Sequence, residues 1–148
     1  PKGLYGKTKL MAEQLGLSVA PEVGVRVCVG RIFSFYHSSQ KKSFLFPNIV
    51  KRLSVEDLSK VFKLNGGESV RDISSAESIV SKIACLLDKE YVGIVNIGSG
   101  YETKIKEFVA NVAQELHERE ITIESVNDDL SYLVADMSKY NDIFSDKG

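Results

Sequence analysis

Val25-Arg-Val-Cys-Val-Gly-Arg-Ile-Phe33 is the stretch on which the fold turns. Its β-branched residues crowd a helix but pack well on a pleated surface, and with few breakers it reads as a buried strand. Just upstream, between Leu4 and Leu17, Lys9, Leu10, Met11, Ala12, Glu13, Gln14 and Leu15 are good helix formers, and the pattern predicts a helix ending near Gly16. Downstream lies the polar run Tyr36-His-Ser-Ser-Gln-Lys-Lys-Ser43, followed by Phe44-Leu-Phe-Pro47. Pro47 suits the first position of a short helix carrying Ile49, Val50 and Leu53. Val61-Phe-Lys-Leu64 reads as a short strand, and Asn65-Gly66-Gly67 as a turn.

The second half repeats this alternation. Ser74-Ser-Ala-Glu77 has the spacing of a capping box, in which two side chains satisfy otherwise orphaned backbone donors. The helix it opens places Ile79, Val80, Ile83, Ala84, Leu86 and Leu87 on one wide stripe. Val92-Gly-Ile-Val-Asn-Ile97 reads as another strand, closed by Gly98-Ser99-Gly100. Thr103 is placed to cap a helix with Ile105, Phe108, Val109, Val112, Ala113 and Leu116 at helical spacing. Ile121-Thr-Ile123 is a weak strand signal, and the tail from Asn127 is polar with a few apolar anchors. Strands alternating with helices predict an α/β protein with a largely parallel sheet.

Composition narrows the function classes. The 148 residues are 43% hydrophobic and 26% charged, close to ordinary globular proteins and far from disordered ones. With 19 basic and 20 acidic side chains the formal net charge is −1, so no general field gathers nucleic acid or anionic lipid. No apolar run approaches the ~20 residues that cross a bilayer. Cys28 and Cys85 lack CxxC or Cys/His spacing and read as buried thiols of a reducing compartment, with no metal site expected. The chain opens at Pro1 with a helix signal almost at once and shows no targeting segment, which suggests the C-terminal part of a longer chain and a cytoplasmic location.

The sharpest chemical feature is Tyr5-Gly-Lys-Thr-Lys9. On a helix, residues four apart share a face, so the phenol of Tyr5 and the ammonium of Lys9 are neighbours. A free phenol titrates near ~10, and a nearby fixed cation favours the phenolate. Such a Tyr can exchange a proton with an alcohol or sugar oxygen while hydride moves at the adjacent carbon. Alone, the pattern reads first as an exposed helix with ordinary lysines.

Five segments together say more. Tyr5-Gly-Lys-Thr-Lys9-Leu-Met-Ala-Glu13 is similar to the Y-G-x-S-K catalytic helix of the extended short-chain dehydrogenase/reductase family, the nucleotide-sugar epimerases, dehydratases and reductases. Gly30-Arg-Ile-Phe-Ser-Phe-Tyr36 resembles that family's R-x-F-N-V-Y-G-P segment, and Val70-Arg-Asp-Ile-Ser-Ser-Ala-Glu77 its V-R-D-F-I-H-V-x-D segment. Asn96-Ile-Gly-Ser-Gly100 resembles its N-I-G-S-G turn, and Ala135-Asp-Met-Ser-Lys139 its late A-D-x-S-K. Order and approximate spacing agree across nearly the whole chain.

The resemblance implies the C-terminal part of a Rossmann-type enzyme, with residues 1–33 and 71–97 belonging to the Rossmann domain and 34–70 and 98–148 to the substrate lobe and tail. It implies Tyr5 as catalytic acid/base, Lys9 as the cation that supports it and holds the nicotinamide ribose, and both Tyr5 and Lys9 as cofactor-binding residues. It implies Arg71 on the diphosphate of a nucleotide-diphosphate sugar, a role that suits a guanidinium fork. The competing reading of Arg71 is a structural salt bridge to Asp72 or a neighbour. The family's substrate-touching Asn is here Ser34, its Y-G-P is Tyr36-His37-Ser38, and its I-H pair is Ser74-Ser75, so substrate contacts transfer less firmly than the fold. His37 reads first as a loop histidine, and Lys41 and Lys42 as a solvated pair.

No G-x-x-G-x-x-G turn for a dinucleotide pyrophosphate occurs in the sequence. The family's Ser/Thr partner of the Tyr also lies upstream of it. The expectation is therefore half an active site: an NAD or NADP enzyme portion that is inactive alone, does not bind the cofactor alone, and pairs into a homodimer or larger oligomer. Nothing here supplies a dedicated dehydration acid, which favours epimerase or 4-ketoreductase over dehydratase. The alternative class is a non-catalytic binding or scaffold domain without the cofactor half.

Overall fold

The computed structural model describes residues 3–127 and 130–145. In chain order the elements are α1 (Leu4–Glu22), β1 (Cys28–Ile32), β2 (Ser34–Tyr36), α2 (Leu45–Val55), β3 (Phe62–Asn65), β4 (Val70–Arg71) and β5 (Ile73–Ser75). Then follow α3 (Ala76–Asp88), β6 (Gly93–Ile97), β7 (Thr103–Lys104), α4 (Ile105–His117), β8 (Ile123–Val126), β9 (Tyr132–Leu133) and α5 (Ser138–Phe144).

Three parallel pairs carry the fold. β1 lies beside β6 from Cys28↔Gly93 to Ile32↔Ile97, β2 beside β5 from Ser34↔Ile73, and β3 beside β8 from Phe62↔Ile123. The central strand β4 pairs antiparallel with β7 and parallel with β9. This is the α/β class that the alternation predicts. The expected strand at Val25–Phe33 is shorter at its start and continues past Phe33 as β2. At the break, the Phe33 amide still donates to Ile97 O at 3.0 Å, after which the chain leaves β6 and joins β5.

Two apolar clusters form the core. One joins Ile49 and Leu53 of α2, Phe62 and Leu64 of β3, and Phe108, Val109, Val112 and Ala113 of α4. The other joins Ile79 and Leu86 of α3 to Val95 and Ile97 of β6, with Tyr140, Ile143 and Phe144 of α5 packed against it. Burial of such side chains stabilises by about 1.5–3 kcal/mol each. Val80, Leu87 and Leu116, expected on the inward stripes, are exposed: Val80 and Leu87 lie at the edge of the α3 apolar arc, and Leu116 lies in the last turn of α4.

Several local expectations are corrected. α1 runs through Gly16 to Glu22, since one interior glycine costs only about 1 kcal/mol and Leu17–Ala20 continue the helix. It stops instead at Gly24, whose φ of +67° suits glycine and whose amide donates to Pro21 O. The cap of α3 is Ser75, not Ser74; its Oγ accepts from the Ser78 amide at 3.2 Å. Thr103 is taken by the β7 ladder, so α4 begins one residue later, with Glu107 accepting from the Lys104 amide. The strand signal at Ile121–Ile123 is displaced to Ile123–Val126. Cys28 is only partly buried and Cys85 is exposed.

Candidate functional site

Ser34 and Arg71 come together. Both line one cavity of about 430 Å³, with Gln40 and the rings of Phe33, Phe35 and Phe44 among the wall residues. The register places them there: Ser34 opens β2 opposite Ile73, two residues beyond Arg71. Also in the wall, Tyr36, Phe46 and Phe108 pack as tilted rings with centroids 5.0–6.3 Å apart. The cavity thus offers aromatic faces, the hydroxyl-bearing side chains of Ser34 and Tyr36, one carboxamide and one guanidinium, a set that suits a planar apolar ring linked to an anion.

Arg71 is not paired with Asp72. Its Nη1 donates to Val70 O at 2.8 Å and to Ser131 O at 2.9 Å, and its Nη2 donates to Ser131 Oγ at 2.6 Å. Asp72 points elsewhere and is fully buried. Its Oδ1 accepts from the Ser99 amide and hydroxyl, both at 2.8 Å, and its Oδ2 from the Gly100 amide at 2.8 Å and the Ala135 amide at 3.3 Å. One carboxylate therefore ties together three of the sequence motifs. Burial pushes its pKa up, but the hydrogen bonds from Ser99, Gly100 and Ala135 outweigh that and hold it below the usual aspartate value. A methyl group at Gly98 would overlap this carboxylate and lie 2.9 Å from Ala135 Cβ, so the turn has room only for glycine.

Tyr5 and Lys9 stand one helical turn apart at the start of α1, both exposed, and neither lines the cavity. Tyr5 is 78% exposed. The structure therefore brings the two binding candidates together and leaves the two proton-transfer candidates on a separate surface. What ties α1 to the sheet is Glu13, which accepts from Arg31 Nε at 2.9 Å and Nη2 at 2.6 Å. That hydrogen-bonded guanidinium lowers the Glu13 pKa.

His37, which follows Tyr36 in the chain but does not line the cavity, has its Nε2 3.5 Å from Glu77, while its Nδ1 accepts from the Ser39 amide. Sequence reasoning missed the Asp72 hub, although the amide-rich Gly98-Ser99-Gly100 turn is a place where an anion is expected. It also missed Glu13–Arg31 and Ser131, whose partners lie too far along the chain for any local signal. No described helix is long and apolar enough to cross a membrane.

The fold is that of the extended short-chain dehydrogenase/reductases, and residues 1–143 match the GDP-mannose 4,6-dehydratase family. The chain belongs to that family of NAD-dependent nucleotide-sugar epimerases and dehydratases. It is 31% identical over 121 residues to the GDP-6-deoxy-D-mannose reductase of Pseudomonas aeruginosa, covering 77% of this chain and 40% of the relative. The structure of RMD from Pseudomonas aeruginosa complexed with NADPH superposes with a TM-score of 0.80 at 23% identity, covering 97% of this chain and 50% of that one. A dTDP-glucose 4,6-dehydratase from Bacillus anthracis in complex with NAD gives 0.73 at 26% identity, covering 97% and 46%. The chain thus spans half or less of the length of these relatives.

Proposed function

We propose that this chain carries the sugar-nucleotide site and the proton-transfer helix of an NAD(P)-dependent enzyme that acts on a nucleotide-diphosphate sugar. The observation that carries the reading is the convergence of Ser34 and Arg71 on one aromatic-walled cavity. In it, the rings hold the nucleobase by stacking, Arg71 binds the diphosphate, and Ser34 donates to an oxygen of the substrate. A GDP-linked sugar is the first substrate to try, because the family and the reductase relative both act on GDP-mannose derivatives by name. Reduction of a 4-keto sugar fits that relative best.

Tyr5 exchanges the proton of the reacting hydroxyl, and Lys9 supports it from the next turn. Both are exposed on one face of α1, which leaves them open to a nicotinamide ribose and a sugar. NAD or NADP, when bound, supplies the hydride donor or acceptor. The sequence holds no glycine-rich pyrophosphate turn, so the isolated chain is expected to be inactive and not to bind the cofactor by itself. Residues 1–33 and 71–97 form the cofactor-domain portion in this reading, and 34–70 with 98–148 the substrate lobe and tail. Exposed Leu4, Met11 and Leu15 on α1 favour a homodimer or larger oligomer.

Calorimetry with GDP and guanosine tests the reading. Replacing Arg71 by Ala should weaken GDP several-fold to a hundredfold, since hydrogen bonds to charged groups contribute roughly 1.5–3 kcal/mol. Guanosine affinity should hardly change. Equal losses for both ligands would assign Arg71 a structural role.

A further inference from the structure

We infer that Ser131, backed by the buried Ser69 hydroxyl, is a positioning residue: it grips one edge of the Arg71 guanidinium and so presents the other edge to a diphosphate. The inference rests on the reading of Arg71 as the diphosphate contact. A guanidinium has five N–H donors in a fixed plane. Three are taken: both on Nη1, by Val70 O and Ser131 O, and one on Nη2, by Ser131 Oγ. Among the described residues, no hydrogen bond occupies Nε–H or the second Nη2–H. These two point the same way and form the fork that matches paired oxygens. Arg31 and Arg52 use that same Nε/Nη2 edge on the carboxylates of Glu13 and Glu56.

The grip is itself held. Ser131 Oγ accepts from Arg71 and has a single proton to give, which goes to Ser69 Oγ at 3.3 Å. The Ser131 amide donates to the same Ser69 oxygen at 3.3 Å, and Ser69 is only 4% exposed. Ser131 O accepts from the Val70 amide at 2.9 Å as well as from Nη1, so both of its lone pairs are committed. Guanidinium, Ser131 hydroxyl and Ser69 hydroxyl form a directional chain in which each bond polarises the next. A long side chain fixed in this way loses little freedom when a phosphate arrives, which favours binding.

The test compares Ser131→Thr, which keeps the hydroxyl, with Ser131→Val, which has the same shape without it. GDP, UDP, guanosine and uridine are titrated into each chain, with thermal melts to confirm folding. Ser131→Thr should bind the nucleoside diphosphates within about 2-fold of wild type, and Ser131→Val about 3- to 10-fold more weakly, the loss of one charge-assisted bond. Nucleoside affinity should be the same in both, and Ser131→Val should have no effect once Arg71→Ala is present. In ¹⁵N NMR the Arg71 Nη signals should be separate in wild type and Ser131→Thr and merged in Ser131→Val. Should the Val variant not fold, Ser131→Ala makes the same comparison. If Arg71→Ala leaves GDP and UDP affinity unchanged, or wild type binds neither, the diphosphate reading fails. If Arg71→Ala weakens binding and Ser131→Val does not, or does so equally without Arg71, the positioning inference fails while that reading stands. Merged Arg71 signals in wild type overturn the grip whatever the affinities.

Discussion

The Asp72 hub and helix α1 both carry family motifs, yet they are held in opposite ways. Asp72 is fully buried, and its carboxylate accepts four hydrogen bonds from Ser99, Gly100 and Ala135. On α1 only Ala20 is buried, while Leu4, Tyr5, Met11 and Leu15 are each at least 64% exposed. Among the described residues its side-chain hydrogen-bonding tie to the sheet is one carboxylate–guanidinium pair, Glu13–Arg31, with Arg31 half exposed. The pair is bidentate and Glu13 is mostly covered, but a single half-exposed pair contributes only on the order of 1 kcal/mol after solvent screening. The comparison separates two uses of a motif. One is consumed in making the fold and needs nothing further; the other is left available for chemistry and contributes little to stability.

The largest effect should come from the loosely held side. In the full-length enzyme, Tyr5→Phe should lower turnover by a factor of about 10²–10⁴, the contribution of a positioned proton-transfer group. The thermal midpoint should stay put, because Tyr5 is 78% exposed and its hydroxyl makes no hydrogen bond among the described residues. Turnover at the wild-type level would remove Tyr5 from the chemistry and leave α1 as a surface helix.

Asp72 should behave the other way, with a large cost in stability. Asp72→Asn keeps the shape but replaces an oxygen that accepts backbone amides by a group that donates. With hydrogen bonds to a charge contributing roughly 1.5–3 kcal/mol each, an expected loss of about 3–5 kcal/mol is read from denaturant titration. The pH dependence carries its own sign. The folded-state pKa lies below the unfolded one, so the stabilisation is complete above the unfolded value of ~3.9 and is lost as pH falls through the folded value. The wild-type stability curve should therefore drop below about pH 4, and the Asn variant should lack that component. Parallel curves would show that Asp72 is not the titrating group.

Much of this contrast is legible in the sequence, and the rest is not, for identifiable reasons. Helical periodicity located α3 and α4 because their inward residues repeat over several turns, and the β-branched run located β1. Motif order pointed to Ser34 and Arg71, which the fold then placed on one cavity. Helix starts slipped by a residue, since Ser74 and Thr103 are claimed by strands and a local pattern cannot see that competition. Asp72, Glu13 and Ser131 could not be assigned partners, as each pairs with residues distant in sequence. Arg71 illustrates the limit: its neighbour Asp72 is the counter-ion that the competing reading offers, but four amide and hydroxyl donors occupy that carboxylate instead.

Ser74 sets the smallest and most exacting test. The capping-box spacing predicts that its hydroxyl satisfies a helix amide, but Ser75 takes that role and Ser74 lies in β5 opposite Phe35. It is 6% exposed, and among the described residues its Oγ has no hydrogen-bond partner. An orphaned buried hydroxyl costs about 1–3 kcal/mol of desolvation without return. Ser74→Ala removes that cost and leaves only a small void, since the hydroxyl is the size of a single heavy atom. The two terms largely offset, and the variant should be unchanged or up to about 1 kcal/mol more stable, a rise of roughly 2–4 °C in the midpoint for a chain of this size. Nucleotide binding at the neighbouring cavity should be unaffected. A loss of more than about 1 kcal/mol would mean that the hydroxyl has a partner after all, such as an internal water, and that β5 belongs with the tightly tied Asp72 region rather than apart from it.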